Sequence, residues 1–359
     1  MSIDDLPAAA RSNVESILRL AIEHEPERRA LVLFDRESPL AGLLADAWRA
    51  ALPGAEAIEL PGGAVGVPDA VARLAPRDLV VLVESTRFFP EEHRFRVRLF
   101  ERGLAVVELP HLSRVAPGEE AAYVDALAYD PSLRTIGGAL KERLDRASEA
   151  RLLGDGAVLT YSGGFEESRL NVGDYRRQRN VGGQFPIGEV FTELRDLAGV
   201  DGEAVLFAFG DSDFRVAAPE RGFRIRVERG VVTAAPGAPA AFAGILDAIR
   251  RDEEIVRVRE LGLGLNRAFT RTRRVSDVGA YERMSGVHLS LGSKHAIYSK
   301  PGFSKRRTKY HVDVFAAVDR FRIDGIDVFD GEGFFDPGAD GTRVLDEGAV
   351  PGVEGAEPS

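Results

Sequence analysis

His311 and Asp313 stand two residues apart in a segment, 310–315, that is typical of a β-strand. In a strand, residues i and i+2 point to the same face, so this imidazole and this carboxylate project together. Two such side chains can share a metal ion or form a carboxylate–histidine pair. Asp313 could instead only orient His311 at the surface. Three of the six histidines (His288, His295 and His311) crowd into residues 288–311, and this clustering favours a metal site.

Two glutamates upstream, Glu189 and Glu260, lie in the apolar, glycine-rich settings Gly-Glu-Val-Phe-Thr and Arg-Glu-Leu-Gly-Leu-Gly. A carboxylate between apolar neighbours is costly to bury unless it is paired or binds a cation. The chain has no cysteine, so any metal must use His, Asp and Glu. Carboxylates that bridge two cations would suit a site with few histidines. Glu282, in a predicted helical turn, is expected to be solvated.

The order of these motifs resembles the aminopeptidase T and aminopeptidase S family of two-metal peptidases, over residues 182–318. The matching pieces are Gly-Glu-Val-Phe-Thr, a glutamate before a glycine-rich turn, Gly-x-His-x-x-x-Gly and His-x-Asp. The resemblance implies two divalent cations per chain (zinc, cobalt or manganese) and a homodimer of chains with an α/β domain and a metal-bearing domain. Carried onto the matching positions, it implies the metal ligands Glu189, Glu260, His288, His311 and Asp313.

One position departs from the family pattern, which has a tyrosine seven residues after the first histidine, where this chain has His295. Tyr298 lies close and could take that role. A divergent branch that resembles 2,5-dihydroxypyridine dioxygenase opens a pyridine ring with a single iron. In that branch a histidine stands at the position of Glu260, and the Gly-Glu-Val-Phe glutamate is absent. The presence of both glutamates in this chain favours a two-metal site. His295 leaves the alternative of an Fe(II) site with two histidines and one carboxylate. The candidate catalytic residues are Glu189, His295 and Tyr298.

The loop at 294–309 is strongly basic for an acidic chain; its cations are Lys294, Lys300, Lys305, Arg306, Arg307 and Lys309. One interpretation is a solvated loop. The other is that Lys300, Arg306 and Arg307 bind a substrate carboxylate or phosphate beside the metals. The Pro-Gly-Phe sequence at 301–303 would then let the loop act as a flexible flap.

The elements that would position these residues fall into two halves. Before residue 155, apolar strands are predicted at 30–34, 55–60, 78–84 and 104–110, with helices at 7–25, 39–52, 67–74 and 131–151. Short apolar strands separated by helices indicate a parallel sheet covered on both faces. From about residue 157, short β-type runs with glycine or charged turns indicate an antiparallel sheet, interrupted by one helix at 240–254.

The predicted fold class is therefore an α/β N-terminal domain with a parallel sheet, followed by an α+β metal-bearing C-terminal domain. The α/β domain is predicted to span 1–155, and the sheet-rich, metal-binding catalytic domain 156–335. Residues 336–359 form an acidic, Gly/Pro-rich tail that is expected to be disordered.

Composition narrows the function classes. The net charge of -10 argues against a nucleic-acid binder, because phosphate contacts need a basic surface. No apolar run is long enough to cross a bilayer, and the acidic N-terminus is unlike a secretory signal, so no membrane partner and a cytoplasmic location are expected. Neither Gly-x-Gly-x-x-Gly after the first strand nor Gly-x-Ser-x-Gly occurs, which leaves a dinucleotide site and a serine hydrolase unsupported.

Together these features predict a metal-dependent hydrolase. The first hypothesis is an aminopeptidase or related amidohydrolase that uses a metal-activated water on a small molecule or short peptide, with an acidic substrate as one version. The second is a mononuclear Fe(II) ring-cleaving dioxygenase of the 2,5-dihydroxypyridine dioxygenase type. The third is a non-catalytic, dimeric metal-binding protein.

Overall fold

The N-terminal half is built on a parallel sheet, and the computed structural model describes residues 5–88, 95–176, 178–300, 303 and 308–336 of the chain. The strands of this sheet are β1 (Ala30–Phe34), β2 (Glu56–Glu59), β3 (Leu79–Val83), β4 (Ala105–Leu109) and β8 (Gly182–Gln184). Their order is β2-β1-β3-β4-β8. In the middle of the sheet, Val81 pairs with Val32 on one side and with Val107 on the other. β1, β3 and β4 are buried at every position, as expected for a sheet covered on both faces.

The helices of this half are α1 (Leu6–Ser16), α2 (Pro39–Ala51), α3 (Val67–Ala72), α4 (Phe95–Glu101), α5 (Glu120–Ala126) and α6 (Ser132–Arg146). A π-helical turn (Ile17–Ile22) extends α1, and short 3-10 turns occur at Ala64–Gly66 and Leu112–Arg114. α2 begins where a local signal places it: Oγ of Ser38 accepts a hydrogen bond from the Ala41 N–H, and Pro39 occupies the first turn.

The helix predicted at 131–151 is wrong at its C-terminal end. α6 ends at Arg146, and Glu149 already begins a strand, β5 (Glu149–Gly154). Ala150 and Leu152 of β5 are buried while Arg151 between them is exposed, which is the two-residue period of a half-buried strand. Pairing with strands on both sides thus outweighs the helical preference of this short segment.

The C-terminal half is an antiparallel sheet. Besides β5, its strands are β6 (Ala157–Ser162), β7 (Arg169–Asn171), β9 (Glu189–Glu193), β10 (Val200–Gly210), β11 (Val216–Ala217), β12 (Phe223–Glu228), β13 (Val231–Ala234), β14 (Val258–Gly264), β15 (Gly286–Leu291), β16 (Val312–Ala316), β17 (Arg320–Ile323) and β18 (Ile326–Phe329). The main path of this 13-stranded sheet is β18-β17-β5-β6-β10-β16-β15-β14-β9-β7. A 3-10 turn (Leu197–Gly199), α7 (Ala240–Glu253) and α8 (Val278–Tyr281) connect its strands.

The two sheets are interleaved in sequence. β8 follows three strands of the antiparallel sheet (β5, β6 and β7) but pairs in parallel with β4 of the first sheet, with Gly183 opposite Val107. The β5–β6 hairpin encloses residue 155, so the second sheet starts before the predicted domain boundary. Because β8 leads within five residues into β9, the edge of the parallel sheet fixes where the Glu189 strand begins.

The predicted fold class is confirmed: a parallel, helix-covered sheet precedes a large antiparallel sheet. Of the predicted disordered tail, Asp336 is described, and residues 337–359 lie outside the described residues. Within the described part of the chain, no helix combines the length and the apolar character that a membrane span requires.

Candidate metal centre

Four neighbouring strands of the second sheet, β9, β14, β15 and β16, bring the predicted ligands to one face. Gly262 of β14 lies opposite His288 of β15. Gly264 lies opposite Glu189 of β9. Directly opposed residues share a face, and Glu260 shares it too because it stands two positions before Gly262. Motifs that are far apart in sequence therefore converge on one surface of the sheet.

The donor atoms form two groups, in each of which the ligand atoms lie within 4.8 Å of one another. The first group consists of Glu189, Glu282 and His288, and the second of Glu260, His311 and Asp313. His288 connects the groups, because its Nε2 lies 3.3 Å from Oε1 of Glu189 and 3.5 Å from Oε1 of Glu260. All five predicted ligands thus lie in one cluster of candidate donors, to which Glu282 also belongs. Two groups of hard oxygen and imidazole donors can hold two divalent cations.

Gly262 leaves the space that the His288 ring occupies. A Cβ atom built on Gly262 would lie 2.0 Å from Nε2 and 2.1 Å from Cε1 of His288. Any side chain at this position would therefore force the imidazole out of its place beside Glu189 and Glu260. The Leu-Gly-Leu-Gly sequence after Glu260 thus has a packing reason that the sequence alone did not reveal.

The centre is buried and its charges interact strongly. Burial would lower the pKa of His288, but Glu189 and Glu260 outweigh it and raise the pKa to about 9. Burial would likewise lower the pKa of His311, but Asp313 raises it to about 10. Burial would raise the pKa of Glu260, yet His288 and His295 hold it well below its usual range. The metal-free protein therefore compensates the carboxylates with protonated imidazoles.

The hydrogen bonding of these groups fits a cation. Nε2 of His288 and Oδ1 of Asp313 are buried, and among the described residues they have ion-pair contacts but no hydrogen bond of normal geometry. Nε2 lies 3.3 Å from Glu189 and 3.5 Å from Glu260, and Oδ1 lies 3.1 Å from Nε2 of His311. Buried polar atoms are nearly always satisfied, so each such atom calls for an explanation. Both atoms belong to residues of the two donor groups, one in each. Cations bound by the two groups would satisfy them.

Glu282 is the ligand candidate that the sequence analysis missed. Its side chain is 20% exposed rather than solvated, and it contacts the guanidinium of Arg283. α8 before it is N-capped by Asp277, whose Oδ2 accepts from the Ala280 N–H, and this helix carries Glu282 to the sheet. A four-residue helix shows too little periodicity to assign a face, so only the buried Tyr281 beside it hints at partial burial.

His295 contacts the centre through a ligand. Its Nε2 lies 2.7 Å from Oε2 of Glu260, while its Nδ1 accepts hydrogen bonds from the backbone N–H groups of Ile297 and Tyr298 at 3.1 and 3.3 Å. Because Nδ1 is an acceptor, the proton of the neutral ring resides on Nε2 and is donated to Glu260. His295 therefore orients the carboxylate of Glu260, a candidate ligand, and its position in the sequence gave no sign of this role.

The side chains of Tyr298 and Lys300 hold the loop after β15 in place through hydrogen bonds. The Tyr298 hydroxyl donates to the carbonyl of Glu167 at 2.7 Å and lies 3.3 Å from the carbonyl of Phe191, and burial raises its pKa. The Lys300 ammonium donates to Glu166 and to the carbonyls of Leu194 and Arg195. These three bonds use all its N–H groups, so none remains for a substrate. The predicted substrate-binding residues Arg306 and Arg307 lie outside the described residues.

Comparison with known proteins identifies structures of similar fold but does not assign the chain to a family. Fold and donor groups together define a two-sheet α/β protein with a carboxylate- and histidine-rich centre that could bind metal ions. No protein-family model matches the sequence, and no curated protein matches it.

Two solved structures share the fold across almost the whole chain. The structure of 2,5-dihydroxypyridine dioxygenase from Pseudomonas putida KT2440 is similar with a TM-score of 0.61 and 16% identity, covering 94% of this chain and 99% of that one. Wild-type AmpT from Thermus thermophilus is similar with a TM-score of 0.55 and 15% identity, covering 91% of this chain and 99% of that one. At such identities the likeness concerns the fold alone, so the chemistry must be argued from the residues of this chain.

Proposed function

We propose that this protein is a metal-dependent hydrolase that cleaves an amide beside a free amino group, as an aminopeptidase does. The observation that carries this proposal is the pairing of two donor groups, Glu189/Glu282/His288 and Glu260/His311/Asp313, on one face of a sheet. Paired cations of this kind activate a water and polarise a substrate carbonyl when they are bound. Zinc, cobalt and manganese all suit such donors.

The protein's own residues would hold the reacting groups and move the proton. His295 fixes the orientation of Glu260 through its Nε2–H, so this carboxylate keeps its direction toward the centre. Of the four ligand carboxylates, Glu282 is the most exposed, with 20% of its side chain accessible, against 5% for Glu189. Glu282 is therefore the carboxylate best placed to accept a proton from water and to deliver it to the nitrogen that leaves when the C–N bond breaks.

The ring-cleaving dioxygenase is the alternative, and the donor set argues against it. A mononuclear Fe(II) oxygenase site typically uses two histidines and one carboxylate. Each group found among the described residues contains one histidine and two carboxylates. His295 could supply a second histidine only by giving up its hydrogen bonds to Glu260 and to the loop backbone. The likeness in fold to a dioxygenase does not offset this, because that fold is shared with AmpT.

The proposal is tested by metal content and turnover together. We expect the purified protein, reconstituted with zinc, cobalt or manganese, to bind about two equivalents per chain and to release leucine from leucinamide or a leucyl dipeptide. His311→Ala should remove the second cation and lower kcat/KM by roughly 100-fold or more, because it deletes a ligand of the centre. Arg221→Ala, an exposed position with no part in the centre, serves as the matched control.

Two outcomes would overturn the proposal. One equivalent of oxygen-sensitive ferrous iron, with oxygen uptake on a dihydroxypyridine and no amide hydrolysis, would establish the dioxygenase instead. Tight binding of metal with no turnover of amides or ring substrates would establish a non-catalytic metal-binding protein.

A further inference from the structure

A large cleft adjoins the metal centre. It has a volume of about 1040 Å³ and lies between α4, the segment before β8, strand β7 and the loop after β15. Phe191 and Ile297 line it, and both also contact His295. The Phe191 and His295 ring centroids are 6.3 Å apart, and the Ile297 N–H donates to Nδ1 of His295. Since His295 is hydrogen-bonded to Glu260, His295 lies between the cleft and the candidate metal centre.

The strand register places one end of the cleft at a defined distance from the centre. Arg169 of β7 lies opposite Phe191, Phe191 opposite Gly262, and Gly262 opposite His288. Opposed residues share a face, so Arg169 projects on the same side of the sheet as the ligands. Three strand spacings separate it from His288, which is roughly 14 Å between backbones at about 4.8 Å per strand.

The basic side chains that line the cleft differ in the hydrogen bonds and ion pairs that they form. Lys141 is committed to Asp145, to the Ser168 carbonyl and to Glu167. Among the described residues, the one partner of the Arg169 guanidinium is Glu167, in an ion pair of 3.5 Å, and the Arg169 side chain is 46% exposed.

Arg179 also lines the cleft, and it forms no hydrogen bond or ion pair with any residue that the structure describes. The acidic side chains of the lining are Glu101 and Glu167, and Glu167 already faces Lys141 and Arg169. Two guanidinium groups are therefore available to bind an anion. Their planar donor arrays match a carboxylate in bidentate fashion.

We propose that Arg169 and Arg179 bind the C-terminal carboxylate of a dipeptide- or tripeptide-sized substrate, whose amino end lies at the metal centre. This inference rests on the proposed hydrolase function and adds the substrate class. An extended peptide spans at most about 3.5 Å per residue, so two or three residues and an arginine side chain together bridge the distance from the centre. Phe191, Phe100 and Ile297 supply apolar walls for the substrate side chains.

The test compares Leu-Gly-Gly with its C-terminal amide, which differs only in lacking the carboxylate charge. The metal-reconstituted wild-type enzyme should favour the acid roughly 10- to 100-fold in kcat/KM, mainly through KM. The double variant Arg169→Ala/Arg179→Ala should lose this preference and should treat the amide as the wild type does. Arg221→Ala, which removes an exposed arginine outside the cleft, should keep the preference.

Calorimetric binding of the same two peptides separates this inference from the proposed function, because it needs no turnover. Hydrolysis of both peptides at equal rates, unchanged in the double variant, would overturn the carboxylate site and leave the hydrolase standing. Absence of hydrolysis with arginine-dependent binding of the acid would overturn the hydrolase and support the anion site. Failure of both measurements would overturn both.

Discussion

The size of residue 262 controls the geometry of the whole centre. The His288 ring occupies the volume that a Cβ atom on Gly262 would need, and His288 is the residue that lies against both donor groups. Interiors are packed too tightly to absorb such a contact without moving one partner. A glycine with no ligand atom of its own thus determines whether the ligands meet.

We therefore expect Gly262→Ala to weaken binding of both cations while the protein stays folded. The displaced imidazole can no longer stand between Glu189 and Glu260, so metal content after dialysis should fall well below that of the wild type. Gly244→Ala is the control, since Gly244 lies in α7 with open space around it and should gain stability of about 0.5–1 kcal/mol. Full metal content in Gly262→Ala would show that the ring is placed differently.

Substitutions of His295 can distinguish two roles for this residue, orientation of Glu260 and proton transfer. If it only holds Glu260, His295→Ala should reduce metal affinity by about 10- to 100-fold, as loss of a partner behind a ligand usually does. His295→Gln should recover much of this loss, because its side-chain amide can still donate to Glu260. The pH profile of hydrolysis should keep its shape in the Gln variant. A Gln variant that binds metal fully yet loses one limb of the profile would identify His295 as an acid or base instead.

At the scale of elements, one buried ion pair joins the sheet to the loop after β15. Nε and Nη2 of Arg259 in β14 bind the carboxylate of Glu193 in β9 at 2.9 and 3.0 Å. The same guanidinium donates to the carbonyls of Ser293 and Tyr298. This pair therefore fixes the loop that carries His295 over the centre.

Arg259→Met should destabilise the protein by about 3 kcal/mol, because the buried Glu193 carboxylate loses its bidentate partner and keeps the more distant Lys300 Nζ at 3.3 Å. Urea denaturation of the metal-free protein measures this change. The double variant Arg259→Met/Glu193→Gln, which removes both charges, should recover part of the loss. Equal stability of Arg259→Met and wild type would mean that the pair contributes nothing.

How much the sequence could predict also differs between elements. The apolar strands β1, β3 and β4 were predicted nearly to the residue, because a continuous buried run has few other interpretations. The C-terminal end of α6 could not be predicted in this way, since β5, which follows it, forms only through pairing with other strands.

The same division holds in the centre. His288 and the His311–Asp313 pair could be predicted as ligands because residue type and strand period are local signals, and they stay predicted ligands. Three other features depend on residues that are far away in sequence, so no local pattern could predict them. They are the position of Glu282 beside Glu189 and His288, the space at Gly262 that the His288 ring fills, and the hydrogen bonds of Lys300.

For the whole molecule, a carboxyl group far from the ligands makes stability depend on pH. Glu84 is 2% exposed at the end of β3, and its Oε2 has no hydrogen-bond partner among the described residues. Burial, followed by the charge of Glu108 and more weakly that of Asp35, raises its pKa to about 8, against the lowering effects of the Phe88 N–H and Arg87. The folded state therefore holds this proton more tightly than the unfolded state does.

The sign of the effect follows from linkage. A carboxyl group with a raised pKa contributes its full stabilisation below its unfolded value near 4.5, and this contribution is lost as pH rises toward 8. We expect a slope approaching about 1.4 kcal/mol per pH unit in this window, measured by urea denaturation. Glu84→Gln should flatten that part of the curve, and the exposed control Glu228→Gln should not. An unchanged slope in Glu84→Gln would place the titration elsewhere.

The predicted homodimer and cytoplasmic location are also properties of the whole molecule, and both stay predictions. Analytical ultracentrifugation of the metal-loaded protein would decide the first.

The number and position of the bound cations can be measured by anomalous diffraction from a crystal of the metal-loaded protein, with data collected on both sides of the metal's absorption edge. We expect two anomalous peaks per chain, one bounded by Glu189, Glu282 and His288 and the other by Glu260, His311 and Asp313. A single peak, or a metal bound through a ring nitrogen of His295, would contradict a two-metal centre.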